Sequence, residues 1–454
     1  MKPSNTLLIC IGALTLTLGV ACDDSQSYNN SPHTIPDTRA PDTSSDTHPS
    51  DTTTNPGAAV TYHRDIAPLL AMHCNECHVP NSTAPFAFGS FAEVQPLALF
   101  IAAAVEAGTM PPWPPLEGCQ EFKHERRLSS EEIALMRAWA DDGAPEGDPA
   151  DAVVVVLPER IDLGQPDYVF DTGVEYKPQP PEANSIDDYR CFVVDPGLEA
   201  DVFVNGYETL PGNPALVHHA IIYEAPQSQA AKLADLEALD DRPGYTCFGG
   251  PRVSDVRMLS GWAPGSAPLK FPANHGIRLR KGSKLVLQVH YNTLNDKQGT
   301  DRTKINLHYT KAASPSELAI IPLAQGNLFV AAGDKEGFAT VNGPALPLNV
   351  SLYGISAHMH MLGSSIDIKA SANDREMCLL DIPRWDFNWQ GFYLYKEPIT
   401  VPRNWITTLN CHYDNSPQNQ SPGREPHDLR WGDGTFDEMC LAYFIILVPP
   451  GISL

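Results

Sequence analysis

The chain has 454 residues and a formal net charge of −24, with 55 Asp and Glu against 31 Lys and Arg. No basic cluster stands out, which argues against a nucleic-acid partner, because binding a polyphosphate needs concentrated positive charge. The length allows roughly two to four domains of ~100–200 residues, and the acidity itself reads as solubility.

The N-terminus "MKPSNTLLICIGALTLTLGVAC" places a lysine before an apolar run from about Leu7 to Val20, with small residues ahead of Cys22. That is the pattern of an export signal over residues 1–22. Its ending resembles a bacterial lipobox, with Gly19 a less usual residue in it, and implies lipidation at Cys22. The expected location is the periplasm or cell envelope, with membrane contact only through that lipid. Residues 23–58 carry almost no large apolar side chains and read as a flexible linker. Ten cysteines fit an oxidising compartment.

"MHCNECH" contains Cys74-x-x-Cys77-His78, the attachment pattern of a c-type haem. Two thiols at this spacing each form a thioether, and the adjacent imidazole reaches the iron. A thioredoxin-like pair would need a surrounding βαβ pattern, and a zinc site a second pair of ligands at close spacing. Neither follows. Downstream, "GTMPPWPP" offers Met110 in a proline-rich loop as the sixth iron ligand. "LSSEEIALMRAWADDGAP" then reads as a helix capped by Ser129 or Ser130, burying Ile133, Met136 and Trp139 and stopping at Gly143. Residues 59–150 resemble a small all-α cytochrome c domain, and the resemblance implies that Pro85 steadies His78 through its carbonyl. Cys119 has no part in this scheme.

From Val153 onward, short β-branched and aromatic runs alternate with Gly, Pro and Asn, the signature of β-sandwiches. Two sandwiches are expected, residues 151–315 and 316–454, with one helical interruption at "QSQAAKLADLEALDD". Into these strands fall five histidines: His218 and His219 in "VHHA", His290 in "LVLQVHYNT", and His358 and His360 in "SAHMHM". Imidazole suits copper, zinc, iron or nickel, and composition does not choose among them. In a strand His358 and His360 share one face, with Met359 and Met361 on the other. His218 and His219 diverge unless a strand end or bulge brings them together. His275, His308, His412 and His427 read as ordinary polar strand residues.

The ordered set "VHH", "LVLQVHYN", "AHMHMLG" and "DEMC" resembles the copper type II, ascorbate-dependent monooxygenase family, over about Asp187 to Leu447. The resemblance implies two tandem jelly-roll-like β-sandwiches and two copper ions. One copper, for electron transfer, falls to His218, His219 and His290. The other, where oxygen and substrate react, falls to His358, His360 and Met439, with Tyr443 near the substrate. It also implies disulfides Cys191–Cys247 and Cys411–Cys440, leaving Cys119 and Cys378 unassigned, their mutual pairing open. The implied activity is hydroxylation of a C–H bond of a small organic substrate with O2. Its electrons come from ascorbate, from the fused haem unit, or both, and an external donor to the haem is a further partner. The alternative is a non-catalytic periplasmic copper and haem protein. Peptide-hydroxylating members carry an arginine two residues before the His-x-His pair, where this chain has Ser356, so a C-terminal glycine peptide is not the expected substrate.

Overall fold

The computed structural model describes residues 59–80, 84, 86–155, 161–181, 185–293 and 299–452. The export signal, Cys22, the linker and Pro85 lie outside these described residues. Residues Ala59–Leu454 form one compact unit that is mainly β.

The helical part packs the helices Ala67–His73, Ala98–Glu106 and Ser130–Asp141 around Ile66, Leu70, Val94, Val105, Met136 and Trp139. Ser129 is the cap of the last helix. Its hydroxyl accepts from the Glu132 amide while its own amide donates to the Glu132 carboxylate. This closed pair satisfies two of the donors that a helix start leaves without partners. Gly143, at φ +82°, ends the helix in a backbone region where a side chain is costly.

The β part contains two cores but one shared sheet. A five-stranded sheet, with Asp187–Val194, Lys284–Asn292 and Val217–Ala225 side by side, packs Ile222, Leu287 and Val289 against Val204, Ile277 and Leu307. A four-stranded sheet, with Gly363–Ala372 and Ile406–Tyr413 at its centre, packs Ile366, Ile368 and Leu409 against Ile355, Tyr395 and Phe444. The opposing layer in both cases is a single nine-stranded sheet. Its two halves meet at Ser316–Ala324, which pairs parallel with His275–Leu279 and antiparallel with Leu441–Leu447. The residue 315/316 division therefore falls beside a strand that joins the halves, and neither half presents an open edge there. The expected helical interruption is present as Ala230–Ala238.

The segment between the helices Ala98–Glu106 and Ser130–Asp141 leaves the helical part and crosses the second sandwich. The Leu116 amide donates to the Asp381 carbonyl at 2.7 Å, and the Lys123 amide to Leu394 at 2.8 Å. Phe122 is buried in the second core beside Tyr395, at a ring distance of 5.4 Å. Cys119 and Cys378 are joined by a disulfide, their Cα atoms 5.3 Å apart. The pairing left open by the sequence is thus the third bridge of the fold.

Candidate metal centre

His218, His219 and His290 converge, with one ring nitrogen of each within 4.8 Å of the others. The bulge needed for adjacent histidines to share a site is present. Val217 lies opposite Tyr291 and His219 opposite His290, so His218 is the extra residue of the Val217–Ala225 strand. His358 and His360 also come together, their ring centroids 5.0 Å apart. They do so differently from the strand expectation: the Val350–His358 strand ends at His358, and His360 lies in the turn beyond it. Met359 is fully buried in the second core, whereas Met361 is half-buried, its sulfur 3.9 Å from the Ser421 hydroxyl. The two histidine sets adjoin, with the His219 and His358 centroids 6.1 Å apart.

The hydrogen-bond partners assign the ring nitrogens. A backbone carbonyl only accepts, so the 3.0 Å contact of His360 Nδ1 with Asp437 places the proton on Nδ1 and the lone pair on Nε2. Gln390 does the same for His358 by accepting from its Nδ1 through Oε1. The amide orientation is fixed because Gln390 Nε2 donates to the Phe387 carbonyl at 2.7 Å. His290 is inverted: Nε2 donates to Asp187 Oδ1 at 2.8 Å, and its buried Nδ1 has no hydrogen-bond partner. A buried nitrogen without a partner is costly unless something binds it. Burial lowers the pKa of His358 to about 4 and of His360 to about 3, with further lowering by neighbouring imidazoles. Burial and the four other imidazoles also hold His219 well below its ordinary value. Neutral rings with free lone pairs are the form that ligates a metal.

Met439 is buried and lines a cavity of about 200 Å³ together with His358, Ser356 and Tyr443. The Cys411–Cys440 disulfide anchors the next residue, and the Tyr413 hydroxyl donates to the Met439 carbonyl at 2.9 Å. The buried Glu438 ties the two halves of this site together. Its carboxyl accepts from the amides of His360 at 2.9 Å and Leu362 at 2.7 Å, and burial pushes it up to about 8 against those bonds. Tyr443 faces Ser356 across the paired strands, and burial raises its hydroxyl to about 12. The rest of the cavity wall is largely aromatic and apolar, including Trp262, Phe392 and Tyr223, with Ser266, Gln288 and Gln390 as polar members. Asp433 is its acidic residue, its carboxyl raised by burial and by nearby Asp437, and no Arg or Lys lines it among the described residues. Cys191–Cys247 is also formed.

In the helical part, His78 Nδ1 donates to the Phe86 carbonyl at 2.9 Å, leaving Nε2 as the free nitrogen. Cys74 and Met110 pack at the edge of the same helical core.

Several residues of the site carry no mark in the sequence. Gln390, Phe387 and Trp385 sit on one loop between the strands Arg375–Ile382 and Tyr393–Val401. Phe387 stacks on His218 at 4.3 Å, and buried Trp385 donates from Nε1 to the His360 carbonyl at 3.0 Å. Asp187 lies four residues before Cys191 and begins the span over which the sequence resembles the family, but nothing in the sequence marks it as a partner of His290.

Residues 336–449 match the family model of the copper type II ascorbate-dependent monooxygenase, C-terminal domain. That stretch holds His358, His360 and Met439 and excludes His218, His219 and His290. A curated protein, "MOXD1 homolog 1" of Drosophila melanogaster, is 22% identical over 282 residues, which is 56% of this chain and 39% of that protein. The chain thus spans about two fifths of the length of that relative. Among solved structures, the major capsid protein P2 of bacteriophage PM2 aligns with a TM-score of 0.24 at 7% identity, covering 62% of this chain and 97% of its own. A Paenibacillus xanthan lyase aligns with a TM-score of 0.17 at 11% identity, covering 67% of this chain and 28% of its own. The family match and the curated relative together support the copper type II monooxygenase family.

Proposed function

We propose that the chain is a copper-dependent monooxygenase that hydroxylates a C–H bond of a small organic substrate. The observation carrying this reading is the nest of five imidazoles beside buried Met439, opening on a cavity, within and next to the stretch that matches the family model. The donor set fits copper: imidazoles suit both oxidation states, and a thioether favours Cu(I). His218, His219 and His290 would hold one ion, and His358, His360 and Met439 the other. Copper bound there supplies the redox chemistry of R–H + O2 + 2e⁻ + 2H⁺ giving R–OH + H2O.

The protein's own contribution is orientation and exclusion of water. Asp187, Gln390 and the Asp437 carbonyl hold the imidazoles through their distal nitrogens, and such partners tune a metal site as well as place it. The aromatic cavity wall accepts an apolar body. With Ser356 in place of an arginine and no Arg or Lys in the wall, a carboxylate substrate would lose its counter-ion.

Cys74, Cys77, His78 and Met110 are read as the attachment and axial residues of a c-type haem. The fit rests on the free Nε2 of His78 and on the exposed apolar Phe86, whose carbonyl accepts from His78 Nδ1. Export and attachment through Cys22 belong to the same reading, and three disulfides fit an oxidising compartment.

Metal analysis with optical spectra tests the assignment, and two coppers and one covalent haem per chain are expected. With reductant and a panel of carboxylate-free substrates, O2 uptake should match hydroxylated product. Copper and haem bound without coupled product would instead identify an electron carrier or copper-holding protein.

A further inference from the structure

We infer that Asp187 and Thr435 form one positioning pair that serves both metal ions. The pair holds His290 of one histidine set and, through the turn that ends at Met439, the ligands of the other. The inference rests on the copper reading above and goes beyond it in making the two ligand sets depend on a single buried contact.

The Asp187 carboxylate is shared. Its Oδ1 accepts from His290 Nε2 at 2.8 Å and from the Thr435 hydroxyl at 2.5 Å, and its Oδ2 accepts from the Thr435 amide at 2.8 Å. Both residues are buried. A hydroxyl carries one proton, so with that proton committed to Asp187 the Thr435 oxygen accepts from Asn292 Nδ2 at 3.1 Å. Tyr189 adds a second tie to the same turn. Its ring stacks on His290 at 4.1 Å and 9°, and its hydroxyl donates to the Asp433 carbonyl at 2.6 Å. Asp187, Tyr189, His290 and Asn292 all sit on the paired strands Asp187–Val194 and Lys284–Asn292, so one rigid strand pair grips residues 433 and 435.

The other ligand set hangs on the end of this turn. The Asp437 carbonyl accepts from His360 Nδ1, the Glu438 carboxyl accepts from the amides of His360 and Leu362, and Met439 follows. The turn is closed on itself, because the Asp437 amide donates to the Gly434 carbonyl at 2.9 Å and the Gly434 amide donates to Asp437 Oδ2 at 3.1 Å. Its base is closed too, by the Glu438 amide on the Arg430 carbonyl at 3.2 Å. A Cβ at Gly432 would lie only 2.3 Å from Asp437 Oδ2, so the turn is packed as one piece. A position imposed on Thr435 is therefore passed on to Asp437 and Met439. The Cys411–Cys440 disulfide fixes Met439 from the far side, and Asp187 with Thr435 fixes it from the near side.

The test uses the full-length holoprotein loaded with copper. Thr435→Val keeps the shape of the side chain and the amide bond to Asp187 but removes both hydroxyl bonds, and Thr435→Ser restores the hydroxyl. Asp187→Asn keeps an oxygen for His290 Nε2 and turns an N–H donor towards the Thr435 amide, itself a donor, so it breaks the pair while His290 stays held. Partners of this kind are worth about 10–100-fold in metal affinity, and Thr435→Val should lose copper to a chelator about that much more readily at both sets. Electron paramagnetic resonance of Cu(II) reads the His218, His219 and His290 set. The sulfur contribution to the X-ray absorption of Cu(I) reads the Met439 set.

Both signals should change in Thr435→Val and return to those of the parent in Thr435→Ser. In Asp187→Asn the sulfur contribution should fall while the Cu(II) signal of the His290 set persists. An effect of Thr435→Val confined to either set overturns the proposal, as does an intact sulfur contribution in Asp187→Asn. A parent chain that binds no copper overturns the reading beneath it, and metal analysis of the parent detects that before any variant is compared.

Discussion

Met439 carries the sharpest consequence at the scale of a single residue. Leucine at this position keeps the volume and apolar character, so its cost in stability should stay under about 1.5 kcal/mol. It has no donor atom, so Met439→Leu should bind one copper per chain in place of two and lose hydroxylation, while the spectrum of the His218, His219 and His290 set persists. Metal content and electron paramagnetic resonance check this, and equal loss of both coppers would remove Met439 from the second site. That the five histidines and Met439 come together could be anticipated from residue type and from the order that the family resemblance gives them. The residues that aim them could not. Gln390 lies 32 positions from His358 and Asp187 lies 103 from His290, and a neutral amide or a strand carboxylate has no local pattern announcing such a contact. Trp385 reads from the sequence as one more apolar residue, and its bond to the His360 carbonyl exists only in the folded chain.

At the scale of elements, the strand Val217–Ala225 does two jobs at its two ends. One end bulges to gather His218 and His219. The other carries Glu224, fully buried, which accepts from Arg257 at 2.8 Å, from Arg280 at 2.6 and 2.8 Å, and from Ser283 at 2.9 Å. Arg257 also bonds Glu317 on the shared strand Ser316–Ala324, so this network ties the five-stranded sheet to the nine-stranded one. Burial alone would raise Glu224, but the hydrogen bonds from Arg280 and Arg257 outweigh it and hold the carboxyl below its ordinary value. A depressed folded pKa gives stability that is present above the unfolded value of about 4.3 and is lost as pH falls through the folded value. Glu224→Gln should cost about 1.5–3 kcal/mol, because it removes the charge from the hydrogen bonds that the partly exposed Arg257 and Arg280 donate to this buried position. Its melting temperature should also depend less on pH than that of the parent chain below pH ~4.3, the unfolded carboxyl value; parallel curves would exclude the network as a source of acid sensitivity. The bulge could be anticipated from the adjacency of two histidines that the family resemblance assigns to one metal. The parallel pairing of Ser316–Ala324 with His275–Leu279 could not, because register across some forty residues is set by packing of both sheets and not by local propensity.

For the whole molecule the informative feature is how the helical part is held. The sequence reads as two separate sandwiches behind a helical unit, whereas the joints between these parts are long-range. One sheet runs through both sandwiches, and residues 113–123 lie across the second. The sequence left Cys119 and Cys378 over after the other pairs were placed, and no spacing rule links cysteines 259 residues apart. Their bridge closes a long loop, and removing such a constraint typically costs about 2–4 kcal/mol by freeing the unfolded chain. The paired variant Cys119→Ser with Cys378→Ser should therefore melt lower than the parent. In native-state hydrogen exchange the amides of Lys123 and Lys396, which bond across this contact, should lose protection before those of the Ile406–Tyr413 strand. Reduction of the parent chain should reproduce both effects to the extent that this bridge is reduced. Because Phe122 stays buried against Tyr395 and the backbone bonds remain, the segment should loosen rather than detach. Unchanged melting together with unchanged exchange at Lys123 and Lys396 would mean that those contacts alone hold the helical unit in place.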